Sequence, residues 1–211
     1  FMSAIPFSLF SYAQQFTTSS LAAIIGAATP MFTLLAILTI YRTEKVTMVA
    51  TVGLLVGLIG VAITLGVWEG FGQNDPLAIG ALVLATISYG IGGPYIRKFV
   101  TPMNLSGTSS AAAQVFTSAI TLLPFYLFSG PLITASPSIG SLLSIIALGV
   151  LGSGYAYRLF HDVIKDAGST VASTVTFTNP VVATIWGILL LSEELHWYEP
   201  IGGVVVILGA W

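Results

Sequence analysis

Runs of about twenty residues almost free of charge recur along this chain, and nothing else limits its fold as strongly, because roughly 20 helical residues cross the ~30 Å core of a bilayer. Eight segments reach or approach that length: 1–16, 19–41, 47–68, 77–97, 106–128, 139–164, 169–191 and 198–211. The breaks carry turn chemistry, among them "RTEKVT", "EGFGQNDP", "SGPLITASPS" and "SEELHWYEP". Within each run the residues are continuously apolar, which excludes the in-and-out alternation of a β-barrel strand. Only 7% of residues are charged and mean hydropathy is +0.96, against about 25% charged in a soluble domain. The expectation is an all-α, polytopic helical bundle in the lipid bilayer.

Composition also removes function classes. A net charge of −2 offers no basic surface for nucleic acid. Without cysteine there is no disulfide, thiol chemistry or thiolate metal site. "FMSAIPFSLF" lacks the basic start and small-residue cleavage site of a signal peptide. The first and last runs begin and end inside hydrophobic sequence, which predicts a piece of a longer protein.

Alternate loops fall on opposite faces. All six basic residues, Arg42, Lys45, Arg97, Lys98, Arg158 and Lys165, fall on one face, while Glu69, Asp75, Glu193, Glu194 and Glu199 occupy the other. The positive-inside rule makes the basic face cytoplasmic and predicts a multi-pass protein of the plasma (bacterial inner) membrane.

"SSLAAIIGAATPMFTLLAILTIYRTEK" from Ser19 and "STVASTVTFTNPVVATIWGILLLSEEL" from Ser169 align with a constant offset, pairing Pro30 with Pro180 and Glu44 with Glu194. Each copy carries a proline in mid-span, which removes a backbone donor and frees one carbonyl, that of Gly26 or Thr176. The second copy comes five helices after the first in chain order, an odd step, so the two thread the membrane in opposite directions, an arrangement that alternating access to a midplane site uses directly. Thr29 and Asn179 each precede a proline and are placed either to repair the broken helix or to face a solute. Pro30 and Pro180 are hinge candidates, with a plain packing kink as the alternative. Small residues on both helices are equally explained by close backbone approach. The polar stripe around Gln114 reads first as interhelical hydrogen bonding.

These stretches, with "GSGYAYRLFHDVIKDAG" before the second and the Gly-rich "GLLVGLIGVAI" and "IGGVVVILGA" after each, resemble EamA-type permeases of the drug/metabolite transporter superfamily. The resemblance implies ten helices in two inverted five-helix repeats, of which eight are present: 1–70 as the last three helices of the first repeat and 71–211 as the second. It places Phe7, Ser11, Tyr89 and Tyr157 beside a solute cavity with Thr29, Thr176 and Asn179. Aromatic rings there would stack on a small amphipathic solute. A homodimer is an assembly the family permits.

Arg158 stands inside the sixth run, with His161 and Asp162 close by. The three form either a charge relay or an interfacial patch in which Arg158 snorkels and pairs with Asp162 while His161, a lone interfacial histidine, is simply solvated. No catalytic constellation, metal-ligand cluster or cofactor motif is present in the sequence. The function expected is transport of a small organic metabolite such as an amino acid, and the resemblance implies the export direction. An intramembrane enzyme or lipid-handling scaffold using the same cavity is the alternative.

Overall fold

The computed structural model describes residues 2–17, 19–64, 66–69, 75–128, 137–179, 181–182 and 196–210. Among them there is no strand. Chain order gives α1 (Ala4–Ala13), α2 (Ser19–Ala27), α3 (Thr29–Ala36), α4 (Met48–Thr64), α5 (Pro76–Tyr95), α6 (Gly107–Phe128), α7 (Ile139–Ala147), α8 (Ala156–Ala167), α9 (Ser169–Ser173) and α10 (Tyr198–Ala210). Residues 175–179 are again helical. Wider π-helical turns extend three of these helices, at Ile37–Tyr41, Ile96–Val100 and Leu148–Tyr155. Among the described residues and with these turns included, four helices are long and apolar enough to cross a membrane: Leu21–Tyr41, Pro76–Met103, Gly107–Phe128 and Ile139–Ala167. Each matches one of the runs expected from sequence. Three further apolar helices, Ala4–Ala13, Met48–Thr64 and Pro200–Gly209, are shorter. This is an all-α membrane protein.

Local chemistry sets the helix ends. The Asp75 carboxylate accepts from the Leu77 amide at 2.8 Å, and Pro76 takes the first helical position, where a missing amide hydrogen costs nothing. Ser138 caps α7 in the same manner, its hydroxyl accepting from the Ser141 amide at 3.1 Å. Between α8 and α9 the chain turns on Gly168, whose φ of +95° excludes ordinary side chains.

α4 and α10 cross at glycines. A Cβ on Gly53 would stand 2.7 Å from the Gly209 carbonyl oxygen, and one on Gly57 would stand 2.5 Å from the Phe177 ring. With no gain from hiding apolar surface inside lipid, such backbone proximity is what holds membrane helices together. Phe177, fully buried, ties this crossing to Ala27 and Leu34 in one core cluster.

The two ends of the bundle are distinct. At one, Arg97 donates to the carbonyl oxygens of Ile164, at 2.7 Å, and Lys165, while Glu44 bonds Ser169 and Thr170. At the other, Trp68 stacks on Trp197 at 6.3 Å and meets Tyr198 edge-on at 5.0 Å. Tyr41, Tyr95 and Phe99 cluster near the first end, with the Lys98 ammonium 5.7 Å from the Tyr41 ring centre. Aromatic groups at both ends fit the two water–lipid interfaces. Because the segment following α3 meets the start of α9, the two helix pairs containing Pro30 and Thr176 run antiparallel.

Candidate functional site

The first broken helix is broken where its proline demands. α2 ends at Ala27 and α3 begins at Thr29, with Pro30 in the first turn. Pro30 has no amide hydrogen for the Gly26 carbonyl, and the Thr29 hydroxyl donates to that oxygen instead, at 2.6 Å. Inside a bilayer a freed carbonyl needs such a partner. Thr29 is buried, so its hydroxyl serves the backbone. One turn later the Thr33 hydroxyl is buried with no hydrogen-bond partner, where the backbone of Phe32 and Thr33 presses on Gly90.

In the second, a break lies at Thr174, between α9 and the helical residues 175–179. Hydroxyls again serve the backbone: Ser173 donates to the Thr170 carbonyl at 2.7 Å and Thr176 to the Ser173 carbonyl at 3.0 Å. Phe177 takes the inward position. Asn179, two residues and about 200° further round, is therefore exposed rather than a buried amide. Pro180, Glu193 and Glu194 lie outside the described residues.

Three side chains named from sequence converge. Phe7 on α1 meets Tyr89 on α5 edge-on at 6.5 Å and Tyr157 on α8 at 6.3 Å. Phe10, which sequence reasoning missed, lies one turn after Phe7, stacks obliquely on Tyr89 at 6.1 Å and packs over Gly26, where a Cβ would come within 3.4 Å of its ring. Its spacing from Phe7 was the available signal. The aromatic wall thus abuts the broken helix. Ser11, one turn beyond Phe7, is exposed and takes no part.

A polar chain continues from the aromatics. The Tyr157 side chain lies beside Ser3 and Gln114. The Gln114 amide nitrogen donates to the Ser3 hydroxyl at 2.7 Å, and its oxygen lies 2.9 Å from His161 Nε2. Gln114 therefore joins the start of α1 to α6 and α8, as interhelical bonding predicts. Gln114 and His161, with Ser110, Thr117 and Tyr95, line a cavity of about 340 Å³ beside α6. That volume is within the range of small-molecule sites.

His161 departs from the solvated interfacial residue that its isolation in sequence suggested. It is only 7% exposed and bonds Gln114. Arg158 and Asp162 form the expected pair four residues apart, Nε to Oδ2 at 3.9 Å, with both side chains about half exposed at 50% and 45%. A pair so exposed contributes little to stability. Among the described residues no group of three or more His, Asp or Glu side chains could hold a metal ion.

Residues 76–211 match the EamA-like transporter family. The chain belongs to that family. An uncharacterised transporter of Clostridium kluyveri is 26% identical over 98% of this chain and 67% of its own length. The inner membrane transporter YedA of Escherichia coli is 28% identical over 89% of this chain and 60% of its own. Protein PecM of Dickeya dadantii is 23% identical over 87% and 61%. The chain thus spans about three fifths to two thirds of these relatives. A solved crystal structure superposes on 97% of this EamA-family chain and 70% of its own with a TM-score of 0.68, and at 17% identity that likeness concerns the fold.

Proposed function

We propose that this EamA-family chain forms the larger part of a permease that exports a small organic metabolite, such as an amino acid, by alternating access. The observation that carries the reading is the wall of Phe7, Phe10, Tyr89 and Tyr157 set against the Pro30 helix. Aromatic faces with one hydroxyl edge suit a solute with an apolar body and a polar end. Thr29, Thr176 and Asn179 flank that wall in this reading, and the helix interruptions at Ala28 and Thr174 are where the backbone bends. Residues 1–70 are then the end of the first repeat and 71–211 the second, rocking against each other. The basic end faces the cytoplasm.

Reconstitution of the intact protein in liposomes, loaded in turn with a broad metabolite panel, tests this. Efflux of an amphipathic amino acid or close relative is the expected result. Flux of no panel member, with or without a pH gradient, would overturn it.

A further inference from the structure

Two inverted halves that rock must make and break contacts between them at each end of the bundle. The basic end shows one such contact in detail. Glu44, in the turn between α3 and α4, reaches the start of α9. Its Oε1 accepts from the backbone amide of Ser169 at 2.6 Å and from the Ser169 hydroxyl at 2.5 Å. Its Oε2 accepts from the Thr170 amide at 3.2 Å and the Thr170 hydroxyl at 2.8 Å.

A helix start is ordinarily capped by the residue just before it. That residue here is Gly168, which offers no side chain, and a Cβ on it would stand 3.0 Å from the Glu44 carboxylate. The cap comes instead from an acid 125 residues earlier in the sequence. On the far side of the same turn, Arg97 donates to the last carbonyls of α8. A cation at a helix end and an anion at a helix start both match the backbone dipoles. The two clamps differ in what they join. Arg97 and α8 lie in one half and move together, whereas Glu44 and α9 lie in different halves.

We propose that Glu44 is a latch, its carboxylate holding the basic end of the bundle closed by capping α9 across the two halves and releasing it when they rock. The inference rests on the transport reading. Ser169 is fully buried, packed also against Gly93 of α5, whose Cβ would come within 3.2 Å of the Ser169 Cβ. The latch therefore draws three helices together. Ser173, one turn deeper on α9, is buried behind it at 4% exposure. Release would leave charged hydrogen bonds to be replaced by water, so removing the carboxylate shifts the population toward the state open at this end.

This chain has no cysteine, so Ser173→Cys serves as a single reporter in the intact protein cleared of any other thiol. Labelling by a membrane-impermeant maleimide is followed in sealed vesicles of both orientations. In the Glu44→Ala and Glu44→Gln backgrounds labelling from the basic side is expected to rise roughly tenfold, as a state normally populated at about 0.1–10% becomes common. A Ser169→Ala, Thr170→Val background, which removes the hydroxyl donors and keeps the acid, should give a smaller rise. Unchanged labelling in a background that elutes as folded protein overturns the latch, as does an equal rise from both sides, which marks general loosening. The readout needs no solute. A protein that transports while its labelling is indifferent to Glu44 sinks the latch alone, and altered labelling without transport sinks the permease reading alone.

Discussion

The Thr29 hydroxyl donates to the Gly26 carbonyl at 2.6 Å, supplying the partner that Pro30, four residues after Gly26, lacks the hydrogen to provide. The bond spans the break between α2 and α3 and is part-buried within the bundle, so its loss leaves an acceptor stranded in a medium that offers no replacement. Thr29→Val keeps the shape and should lower stability by about 1–3 kcal/mol. Thr29→Ser should be close to neutral. Denaturant unfolding in detergent, followed by tryptophan fluorescence, separates the two. Equal behaviour of Ser and Val at this position would show that the hydroxyl is dispensable to the helix.

Glu44 predicts a pH dependence with a definite sign. Burial of its carboxylate would by itself raise the pKa, but hydrogen bonds from the side chains and backbone of Ser169 and Thr170 outweigh that and hold it below the ordinary value of 4.5. A carboxyl group depressed in the folded state stabilises fully above its unfolded value and loses that contribution as pH falls through its folded value. The gap in stability between the parent and Glu44→Gln should therefore be constant above about pH 4.5. It should close at lower pH. Melting temperatures of both proteins from pH 7 to pH 3 provide the check, and a gap that widened on acidification would contradict the hydrogen-bonded assignment.

Gln114 bridges Ser3 and His161, and the two bonds predict thermodynamic coupling. Replacing Gln114 by Leu strands a buried hydroxyl and a buried ring nitrogen, with an expected cost of about 1–3 kcal/mol. Replacing His161 by Phe as well should cost less than the two single changes added together, by roughly 0.5–3 kcal/mol. A double-mutant cycle on unfolding free energy measures this. Strict additivity would mean that the pair contributes nothing jointly.

What sequence could reach depended on separation along the chain. Pro30 names the carbonyl it strands, and Thr29 stands beside it, so the repair was legible from the five consecutive residues 26–30. The convergence of Phe7, Tyr89 and Tyr157 was legible only through a family pattern, because no periodicity within one helix speaks of rings on three. The solvated reading of His161 failed because its partner lies 47 residues away on another helix. The exposure of Asn179 has a local reason. A break at Thr174 resets the helical phase and turns Phe177 inward, which a continuous helix drawn from Ser169 does not anticipate. The Glu44 cap had one sequence hint, a glycine where α9 would otherwise carry its own capping side chain.

Tyr89 is the side chain on which the solute reading can be tested most directly. It is held by two rings on one face of α1, edge-on by Phe7 and obliquely by Phe10, and glycines at 90, 92 and 93 follow it. Tyr89→Phe keeps both ring contacts and removes only the hydroxyl. Tyr89→Ala removes a stacking face, with aromatic pairs worth about 0.5–1.5 kcal/mol each beyond the area they bury. If the ring contacts solute, Tyr89→Ala should raise the apparent KM for the transported metabolite roughly tenfold while the amount of folded protein in the membrane holds. Phe at that position should change KM little for an apolar solute and more for one that bonds the hydroxyl. The structural role of the ring makes a separate prediction. If Tyr89 only packs α1 against α5, Tyr89→Ala should lower the yield of folded protein and leave the KM of what remains unchanged, so initial rates per folded molecule distinguish the two.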